Sequence, residues 1–540
     1  MASIIAEVNI STRQKLFAVL LLVLSAAVQI YGRVPTMTED FCDPDVAVMS
    51  YGAIDLLDGG SIYERCVETK PPGAYILFAA MFKLFGKRLL PIYVLAALLH
   101  LLAFVLIAVM AWRLGGPTAG VFAGWFYTLL VIDAQAAANC PNQETWMTFF
   151  GVFGFALLLP TRRAVPMVRA LLAGVMFGIA VLMKQQAGAF VIAGALWLAL
   201  EWPRDERRVG ANMALFGFGV ALPLAAVVVA WAVRGGLGTM LSDLNPNRLS
   251  QYVGVGNRKD ILFWAWRRLS AYIGGSWPVW LAAAAGLPFI VREKMQRRTG
   301  LRVWLYFLAA FAALAAGTRF YNHYFMILAA PLALAGGYGL GLIVDKLPRG
   351  AWRALLLVVL LSATLNSSRF ELLQSTRMLQ AISRGEEMIN DDMLEYLLTS
   401  DLNLRLRHQD KRHQRLGAYI KEHSAPNESL YVWPYKPQLY FWADRRSPTK
   451  HYMYFDVAVN LPFKHGGWHG EVDNVVLASR RQMMADLEAD PPRFVIMPEN
   501  DIYWDRAFDR LRQWVADNYT LDENAPHDFL RVYRRPETGE

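Results

Sequence analysis

Long apolar runs with almost no charge recur through the first two thirds of this chain, and they limit its fold more than any other feature. The 540 residues are 55% hydrophobic and only 18% charged. A run of about 20 apolar residues is long enough to cross a bilayer as a helix. We therefore predict an α-helical polytopic membrane protein with about eleven transmembrane helices. The predicted spans are residues 14–32, 89–112, 117–136, 145–160, 168–184, 187–202, 211–234, 270–291, 301–317, 324–345 and 351–367.

Basic residues are concentrated in alternate connections between these runs. Because cytoplasmic loops carry an excess of Lys and Arg, this bias predicts a cytoplasmic N-terminus. An odd number of spans then places the C-terminus outside, together with loops 33–88, 137–144, 235–269 and 318–323 and the hairpin tip at 184–187. A cleaved signal peptide is an alternative for residues 16–30, but the length of this run and the many runs after it favour a first transmembrane helix. The basic set is Arg113, Arg162, Arg163, Arg169, Arg204, Arg207, Arg208, Arg292, Lys294, Arg297, Arg298, Lys346, Arg349 and Arg353.

The last third of the chain has a different composition. It is rich in Arg, Asp, Glu and His, and helical patterns alternate with short apolar strand patterns. We therefore predict a membrane domain over residues 1–367 and a soluble α/β domain over residues 368–540. The sequence contains no nucleotide-binding fingerprint, P-loop, HExxH or CxxC motif in this part. The net charge of +9 comes largely from the short loops, so we predict no nucleic-acid partner.

The first outer loop, residues 33–88, contains two amphipathic stretches. These are DVAVMSYGAIDLLDGG and AYILFAAMFKLFG, and each is too short to span a bilayer. We predict two helices that lie in the membrane interface. The segment ETKPP joins them, since two consecutive prolines prevent one continuous helix. Glu68 and Lys70 are then expected at the outer membrane–water boundary.

Three cysteines, Cys42, Cys66 and Cys140, fall on the predicted outer side. Cys42 and Cys66 flank the first amphipathic stretch, and a disulfide between them would staple the loop in an oxidising compartment. Three free thiols are the alternative, because spacing in sequence does not fix disulfide geometry.

Polar and charged residues of the membrane region cluster at its predicted outer ends. Charges inside a bilayer are costly, so their placement carries information. Acidic and basic groups at interface depth suggest a site for an amphiphile with an anionic head. The cluster comprises Asp133, Glu144, Lys184, Gln185, Arg267, Arg268, Arg319, Tyr321 and His323, with Asp43, Asp45, Arg65, Glu68 and Lys70 from the outer loop.

Each member of this cluster also has an ordinary structural explanation. Asp45 is either the N-cap of a helix or a carboxylate that accepts a proton from an attacking hydroxyl. Asp43 and Asp45 also have a spacing that is compatible with a divalent metal. Lys70 either snorkels from the interface or stabilises a phosphate. His323 is explained more simply as an interfacial anchor or hydrogen-bond donor than as a metal ligand.

Residues 43–86 resemble the first outer loop of C-type (GT-C) glycosyltransferases. They are most similar to the bacterial branch that includes undecaprenyl-phosphate aminoarabinose transferases and relatives of protein O-mannosyltransferases. The matching positions are Asp45, Tyr51, Gly59, Tyr63 and Lys70-Pro71-Pro72. Later segments NQETW, MKQQAGAF and RFYNHYFMILAAPLALAGG resemble further family landmarks.

The resemblance implies the GT-C fold, with interfacial helices in the first periplasmic loop and a C-terminal periplasmic α/β domain. It also implies an enzyme of the bacterial inner membrane that transfers a sugar from a polyprenyl-phosphate-linked donor, with inversion. The acceptor would be lipopolysaccharide or lipid A, another glycan or glycolipid, or a protein hydroxyl. Such a donor contains no nucleotide, so no cofactor is required, and the need for a divalent metal stays open.

Carried over by position, Asp45 would be the catalytic carboxylate, and Lys70, Arg319 and Lys184 would contact the donor phosphate. Two positions depart from the family pattern. Val46 stands where many relatives have Glu, and Thr69 stands where aminoarabinose transferases tend to have Glu. These differences leave the identity of the sugar and any metal site open.

Two other classes of function stay open from the sequence. A lipid-linked sugar flippase or transporter would place its polar groups near the bilayer midplane, often on broken helices. A non-catalytic membrane assembly protein would use the C-terminal region for binding. The position of the polar groups at one face favours the transferase.

Overall fold

The computed structural model describes residues 12–33, 37–133, 136, 138–160, 165–200, 206–245, 258–292, 294–318, 320–348, 350–368, 372, 373, 376, 380, 383, 402–433, 436–452, 474–498, 509–526 and 530–537. Helices dominate this part of the chain. Up to residue 243 they are α1 (Thr12–Arg33), α2 (Pro44–Leu57), α3 (Ile62–Arg65), α4 (Gly73–Phe85), α5 (Leu90–Ile132), α6 (Gln143–Leu157), α7 (Met167–Met183), α8 (Gly188–Ala199), α9 (Glu206–Val233) and α10 (Leu237–Asp243). The later ones are α11 (Arg258–Arg292), α12 (Lys294–Ala316), α13 (Met326–Val344), α14 (Ala351–Ser367), α15 (Leu402–Glu422), α16 (Pro437–Ala443), α17 (Asn474–Ala489) and α18 (Asp509–Asn518).

Each predicted span overlaps one of these helices. Among the described residues, the helices long and apolar enough to cross a membrane are Leu90–Ile132, Arg207–Val233, Arg297–Ala316 and Asn322–Val344. Shorter apolar helices coincide with most of the other predicted spans. The chain is therefore a mostly helical protein with membrane helices, and the total of about eleven spans stays a prediction.

Helix α5 contains two predicted spans and has a sharp break between them. Gly116 has φ 84° and ψ −177°, outside the helical region, and Pro117 follows it. A positive φ of this kind is readily adopted only by glycine, and proline is well suited to begin the next helical segment. The sequence GGP at 115–117 therefore separates the two apolar segments.

Contacts between residues divide the chain into two compact units. The first unit comprises residues 1–38, 93–225 and 266–387. The second unit comprises residues 39–92, 226–265 and 388–540. The second unit thus joins the C-terminal region to two stretches that the sequence places on the same, outer side. The predicted domain boundary at 367/368 stays a prediction, because little of the chain between 369 and 401 is described.

The second unit contains a four-stranded sheet in the order β1-β2-β4-β3. The strands are β1 (Leu430–Val432), β2 (Phe494–Pro498), β3 (Thr520–Leu521) and β4 (Leu530–Arg534). β1 and β2 are parallel, while β4 is antiparallel to both β2 and β3. Parallel neighbours need a crossover connection, and α16 and α17 lie within it.

The loop helices of the second unit pack against its C-terminal residues through aromatic side chains. The Tyr51 ring of α2 stacks on Tyr440 and meets Tyr452 edge-on, with centroids 5.1 Å apart in both cases. The Tyr51 hydroxyl accepts a hydrogen bond from the Ser447 backbone N–H at 2.8 Å. Because Tyr440 and Tyr452 are buried, these contacts fix α2 firmly within this unit.

Candidate active site

Two aspartates begin helix α2. Asp43 is its N-cap, and Oδ1 of Asp43 accepts a hydrogen bond from the Asp45 backbone N–H at 2.8 Å. This contact satisfies one of the N–H groups that the first turn of a helix leaves without an intrahelical partner. The alternative in which Asp45 is the N-cap is therefore wrong. Asp45 lies in the first turn instead, where the helix dipole favours a negative charge.

The backbone of Lys70 is held from both sides. Its N–H donates to Oε1 of Glu68 at 3.0 Å, and its carbonyl oxygen accepts from the Tyr63 hydroxyl at 2.9 Å. Pro71 and Pro72 follow, and proline restricts φ to about −65°. Helix α4 begins only after them, at Gly73. The Lys70 side chain therefore leaves from a rigid turn rather than from a mobile loop.

The structure brings the ammonium of Lys70 to 3.8 Å from Oδ2 of Asp45. The two side chains are 15% and 29% exposed, respectively. A pair with this separation and exposure stabilises a fold by roughly 0–1 kcal/mol. The predicted catalytic carboxylate and the predicted phosphate-binding lysine are thus neighbours that a ligand can reach and separate at little cost.

Glu68 points inward, although the sequence analysis placed it with Lys70 in the polar cluster at the membrane boundary. It is only 2% exposed. Its Oε2 accepts a hydrogen bond from the Tyr75 hydroxyl, while its Oε1 holds the Lys70 N–H. The Tyr75 ring lies against Gly52, where an added Cβ would come within 2.6 Å of the ring. Glu68 therefore positions Lys70, and Tyr75 is a supporting residue that the sequence analysis missed.

Arg65 lies away from the Asp45–Lys70 pair. Its guanidinium forms an ion pair with Oδ1 of Asp55 at 2.6 Å. Burial raises the pKa of the Asp55 carboxyl to about 6, although Arg65 opposes this shift. Asp55 is ten residues after Asp45, which corresponds to roughly 15 Å along α2. Arg65 therefore stabilises the far end of this helix.

The three cysteines form no disulfide with one another. Cys42, Cys66 and Cys140 are all buried. Cys42 immediately precedes the Asp43 cap, and Cys66 ends the short helix α3. The arrangement therefore corresponds to the free-thiol alternative, and hydrogen bonds and packing hold the loop.

A second group of predicted site residues lies within the first unit. Glu144 is in the first turn of α6, and Lys184 follows the last residue of α7. Their side chains form an ion pair and are 2% and 6% exposed, respectively. His323 Nε2 lies 3.7 Å from Oε1 of Glu144, and the Lys184 ammonium lies 4.0 Å from the Tyr324 ring centroid. The structure thus brings Glu144, Lys184 and His323 together.

Further described candidates of the first unit either follow this group directly in the chain or are linked to it through aromatic contacts. Tyr321 stacks on His323 with ring centroids 5.8 Å apart, and the Arg268 guanidinium lies 5.4 Å from the Tyr321 ring centroid. Gln185 begins a single 3₁₀ turn directly after Lys184. Arg319 lies outside the described residues. The predicted contacts of Lys184 and Arg319 with a donor phosphate therefore stay predictions.

The backbone beside Arg319 is unusual. Thr318 and Phe320 have φ values of 52° and 49°. Left-handed backbone is uncommon for residues other than glycine and is disfavoured most for β-branched ones such as Thr. Such strain persists where surrounding contacts enforce it, and it is frequent at functional sites. This geometry agrees with the prediction of a functional role for the loop.

Metal ligands are the remaining part of the predicted site. Within the described ranges, no group of three or more His, Cys, Asp or Glu side chains is arranged to hold a metal ion. Asp43 and Asp45 are the predicted pair, and one Asp43 oxygen already accepts the capping hydrogen bond. A divalent-cation site at these two residues stays a prediction.

Comparisons with known proteins agree on the type of fold. Residues 69–231 match the family model described as dolichyl-phosphate-mannose-protein mannosyltransferase. ArnT from Cupriavidus metallidurans, solved with bound undecaprenyl phosphate, is similar over 96% of this chain and 98% of that chain, with a TM-score of 0.58 and 13% identity. The archaeal oligosaccharyltransferase AglB from Archaeoglobus fulgidus, solved with an inhibitory peptide and a dolichol-phosphate, is similar over 98% of this chain and 75% of that chain, with a TM-score of 0.55 and 12% identity. No curated protein matches the chain in sequence.

The structural similarities extend over almost the whole chain. The chain has the fold of the C-type membrane glycosyltransferases. The GT-C fold implied by the resemblance of residues 43–86 is therefore confirmed, while the interfacial position of the loop helices and the periplasmic α/β domain stay predictions. The family match begins beside Lys70 and covers residues 69–231.

Proposed function

We propose that this C-type glycosyltransferase transfers a sugar from a polyprenyl-phosphate-linked donor to a hydroxyl group of an envelope acceptor, in one inverting displacement. The observation that carries the proposal is the Asp45–Lys70 pair. A carboxylate in the first turn of a helix and an ammonium on a rigid turn lie 3.8 Å apart, and both remain partly exposed. A proton acceptor beside a cation is what this reaction needs.

Lys70 would bind the phosphate of the donor. The charge on the phosphate grows as its bond to the sugar breaks, and a fixed cation stabilises this charge more in the transition state than in the ground state. The hydrogen bonds from Glu68 and Tyr63 hold the Lys70 backbone in place before the donor arrives. The ammonium therefore needs little reorganisation during the reaction.

Asp45 would act as the general base. The acceptor oxygen forms a bond to the anomeric carbon and its proton passes to the Asp45 carboxylate, while the bond from that carbon to the phosphate oxygen breaks. The leaving group is the polyprenyl phosphate, which keeps the bonding electron pair. Attack from the face opposite the leaving group inverts the anomeric carbon.

Donor binding would also release the base. When the phosphate attracts Lys70, the Asp45 carboxylate loses this ion-pair partner and becomes available to the acceptor hydroxyl. The 3.8 Å separation and the partial exposure of both groups make such an exchange inexpensive.

The proposed location is the bacterial inner membrane, with a cytoplasmic N-terminus and the reaction on the periplasmic side. This location is supported by the basic loops and by the second unit, which unites the stretches predicted to lie outside. Lipopolysaccharide or lipid A, another glycan, or a protein hydroxyl group would be the acceptor. The proposed reaction uses no cofactor, because Lys70 supplies positive charge beside the phosphate.

The test is mass spectrometry of glycolipids and glycoproteins from envelopes of a deletion strain. The strain is complemented with the unchanged chain, with Asp45→Asn or with Lys70→Met. Loss of one sugar modification in the deletion strain, restored by the unchanged chain alone, supports the proposal and identifies the sugar and its acceptor. Asp58→Asn is the matched control, because Asp58 is an exposed carboxylate at the other end of α2.

Full restoration by both Asp45→Asn and Lys70→Met would overturn the site assignment. An unchanged glycan profile in the deletion strain would overturn the transferase itself. Lipid-flipping assays in reconstituted vesicles would then test the transporter alternative.

A further inference from the structure

A cavity lies at the N-terminal end of α7 and α9, within the first unit. It has a volume of about 710 Å³, opens at the protein surface, and is lined by Pro166, Met167, Val168, Arg207 and Arg208. None of these residues belongs to the proposed active site. Lys184 follows the opposite end of α7, and the 17 residues of this helix correspond to a length of roughly 25 Å. The cavity is therefore separate from the Glu144–Lys184 group.

Two closely packed parallel helices form this cavity. A Cβ at Gly174 of α7 would overlap the carbonyl oxygen of Phe216 in α9, and a Cβ at Gly178 would overlap that of Val220. Residue numbers thus increase in the same direction along both helices, so both N-termini lie at the same end. The Asn212 amide donates a hydrogen bond to the Val165 carbonyl oxygen at 2.9 Å. The same alignment of the two helices therefore extends to the residues just before α7.

The register explains the shape of the cavity. Arg207 and Arg208 precede Asn212 by about one helical turn, so α9 extends roughly 6 Å beyond the level of Val165. Pro166 and Met167 begin α7 beside this extension. The two arginines therefore line one wall of the cavity, and the start of α7 lines the other wall.

The charges and the apolar surface of this cavity complement an anionic lipid. Arg207 and Arg208 carry fixed positive charges, and guanidinium groups bind phosphate oxygens with suitable geometry. The N-terminal ends of two parallel helices add positive potential from the same direction. Met167 and Val168, which are 49% and 66% exposed, present apolar surface beside the arginines. The excess of basic residues in cytoplasmic loops accounts for arginines here, but not for a cavity between them and exposed apolar side chains.

We propose that this cavity is a binding site for the phosphate headgroup of an anionic phospholipid. Arg207 and Arg208 contact the phosphate, while Met167 and Val168 contact the beginning of the acyl chains. The lipid holds the N-terminal ends of α7 and α9 together at the membrane surface.

The experiment uses the full chain, purified and reconstituted in nanodiscs that contain equal amounts of phosphatidylglycerol and phosphatidylcholine. Native mass spectrometry after release from the nanodisc measures the lipids that stay bound. The unchanged chain is expected to retain phosphatidylglycerol preferentially. The variant Arg207→Gln/Arg208→Gln is expected to bind it about tenfold more weakly or worse, since each arginine near a membrane surface contributes about 1 kcal/mol of attraction to anionic lipid.

Arg297→Gln/Arg298→Gln is the matched control. It removes two exposed arginines near the start of α12 and should leave lipid retention unchanged. Val168→Glu provides a second variant in case the double arginine variant does not fold. It places a negative charge on an exposed side chain beside the cavity and should also weaken retention of phosphatidylglycerol.

Equal retention by the unchanged chain and by both cavity variants would overturn the proposal. Complete displacement of the lipid by millimolar inorganic phosphate would also overturn it, because the site would then recognise a free anion rather than a lipid. An equal loss in the Arg297/Arg298 control would show that general surface charge, rather than this cavity, retains the lipid.

Discussion

Two ion pairs in this protein have the same local construction but different surroundings. Asp45 and Glu144 both lie in the first turn of a helix, and their partners Lys70 and Lys184 both lie on non-helical turns. The Asp45 and Lys70 side chains are 29% and 15% exposed, whereas those of Glu144 and Lys184 are 2% and 6% exposed. Similar sequence patterns have therefore produced one accessible pair and one buried pair.

This difference suggests different tasks. An accessible, loosely associated pair gains little from its mutual attraction and can exchange its partner for a ligand. A buried pair has lost its hydration, so removing either member leaves an uncompensated charge. We expect substitutions at the accessible pair to reduce activity, and substitutions at the buried pair to reduce stability first.

The largest expected effect is at Asp45. Asp45→Asn removes the proton acceptor but keeps the size of the side chain, so transfer should fall by about 10²–10⁴-fold. Thermal unfolding should stay close to that of the unchanged protein, because the carboxylate is partly exposed. Transfer is measured in membranes that contain equal amounts of each variant. A fall in stability that matches the loss of activity would remove the distinction between the two pairs.

The next effect concerns the buried pair. Glu144→Gln or Lys184→Met alone leaves a buried charge without its partner and should lower the free energy of unfolding by about 3–5 kcal/mol. The double variant should recover much of this loss, because no uncompensated charge remains. Thermal unfolding of the detergent-purified proteins measures the effect. Additive losses in the double variant would argue against a mutual interaction.

A smaller effect is expected at Tyr75, which holds Glu68 and thereby positions Lys70. Tyr75→Phe removes the hydrogen bond to Glu68 without changing the ring, and kcat/KM for the donor should fall about tenfold, the loss of roughly 1.4 kcal/mol. Tyr419→Phe removes a similar hydrogen bond to Asp522 and serves as the control. If both variants transfer sugar at the same rate as the unchanged protein, the positioning role of Glu68 and Tyr75 is wrong.

Asp410 is a buried carboxyl that accepts hydrogen bonds from neutral donors, and its ionisation should make the stability of the protein depend on pH. Burial raises its pKa to about 7, although the Phe41 N–H, the Trp442 indole and the Gln414 amide oppose the shift. The folded state therefore holds a proton that the unfolded state has already lost, and stability should decrease as pH rises from about 4 to 7. The slope is at most about 1.4 kcal/mol per pH unit. Melting temperatures across this range check it, and Asp410→Asn should remove this component of the slope.

The smallest effect is expected at Arg65. Because Arg65 pairs with Asp55 at the far end of α2, Arg65→Gln should change transfer by less than about twofold. The guanidinium is half exposed, so the free energy of unfolding should fall by about 1 kcal/mol or less. The same transfer assay measures this. A large loss of activity would show that Arg65 contributes to the active site.

Much of this architecture could be predicted from the sequence because the responsible signals are local. Apolar runs of spanning length fixed the position of the helices, and Pro71-Pro72 and Gly116-Pro117 fixed two of the interruptions. The motif from Asp45 to Pro72 indicated the C-type fold. The role of Tyr75 was not predicted, since a tyrosine in an amphipathic helix is common and its partner is seven residues away in an irregular turn.

The sequence by itself determined which segments are helical and which residues carry charge near one predicted face of the membrane. Only the tertiary structure decided that Asp43 rather than Asp45 caps α2, that Glu68 turns inward, and that Arg65 pairs with Asp55. Helix formation depends on neighbours a few residues apart, which the sequence displays directly. The partner and the burial of a charged side chain depend instead on groups that folding brings together, and these determine whether its charge is available to a ligand.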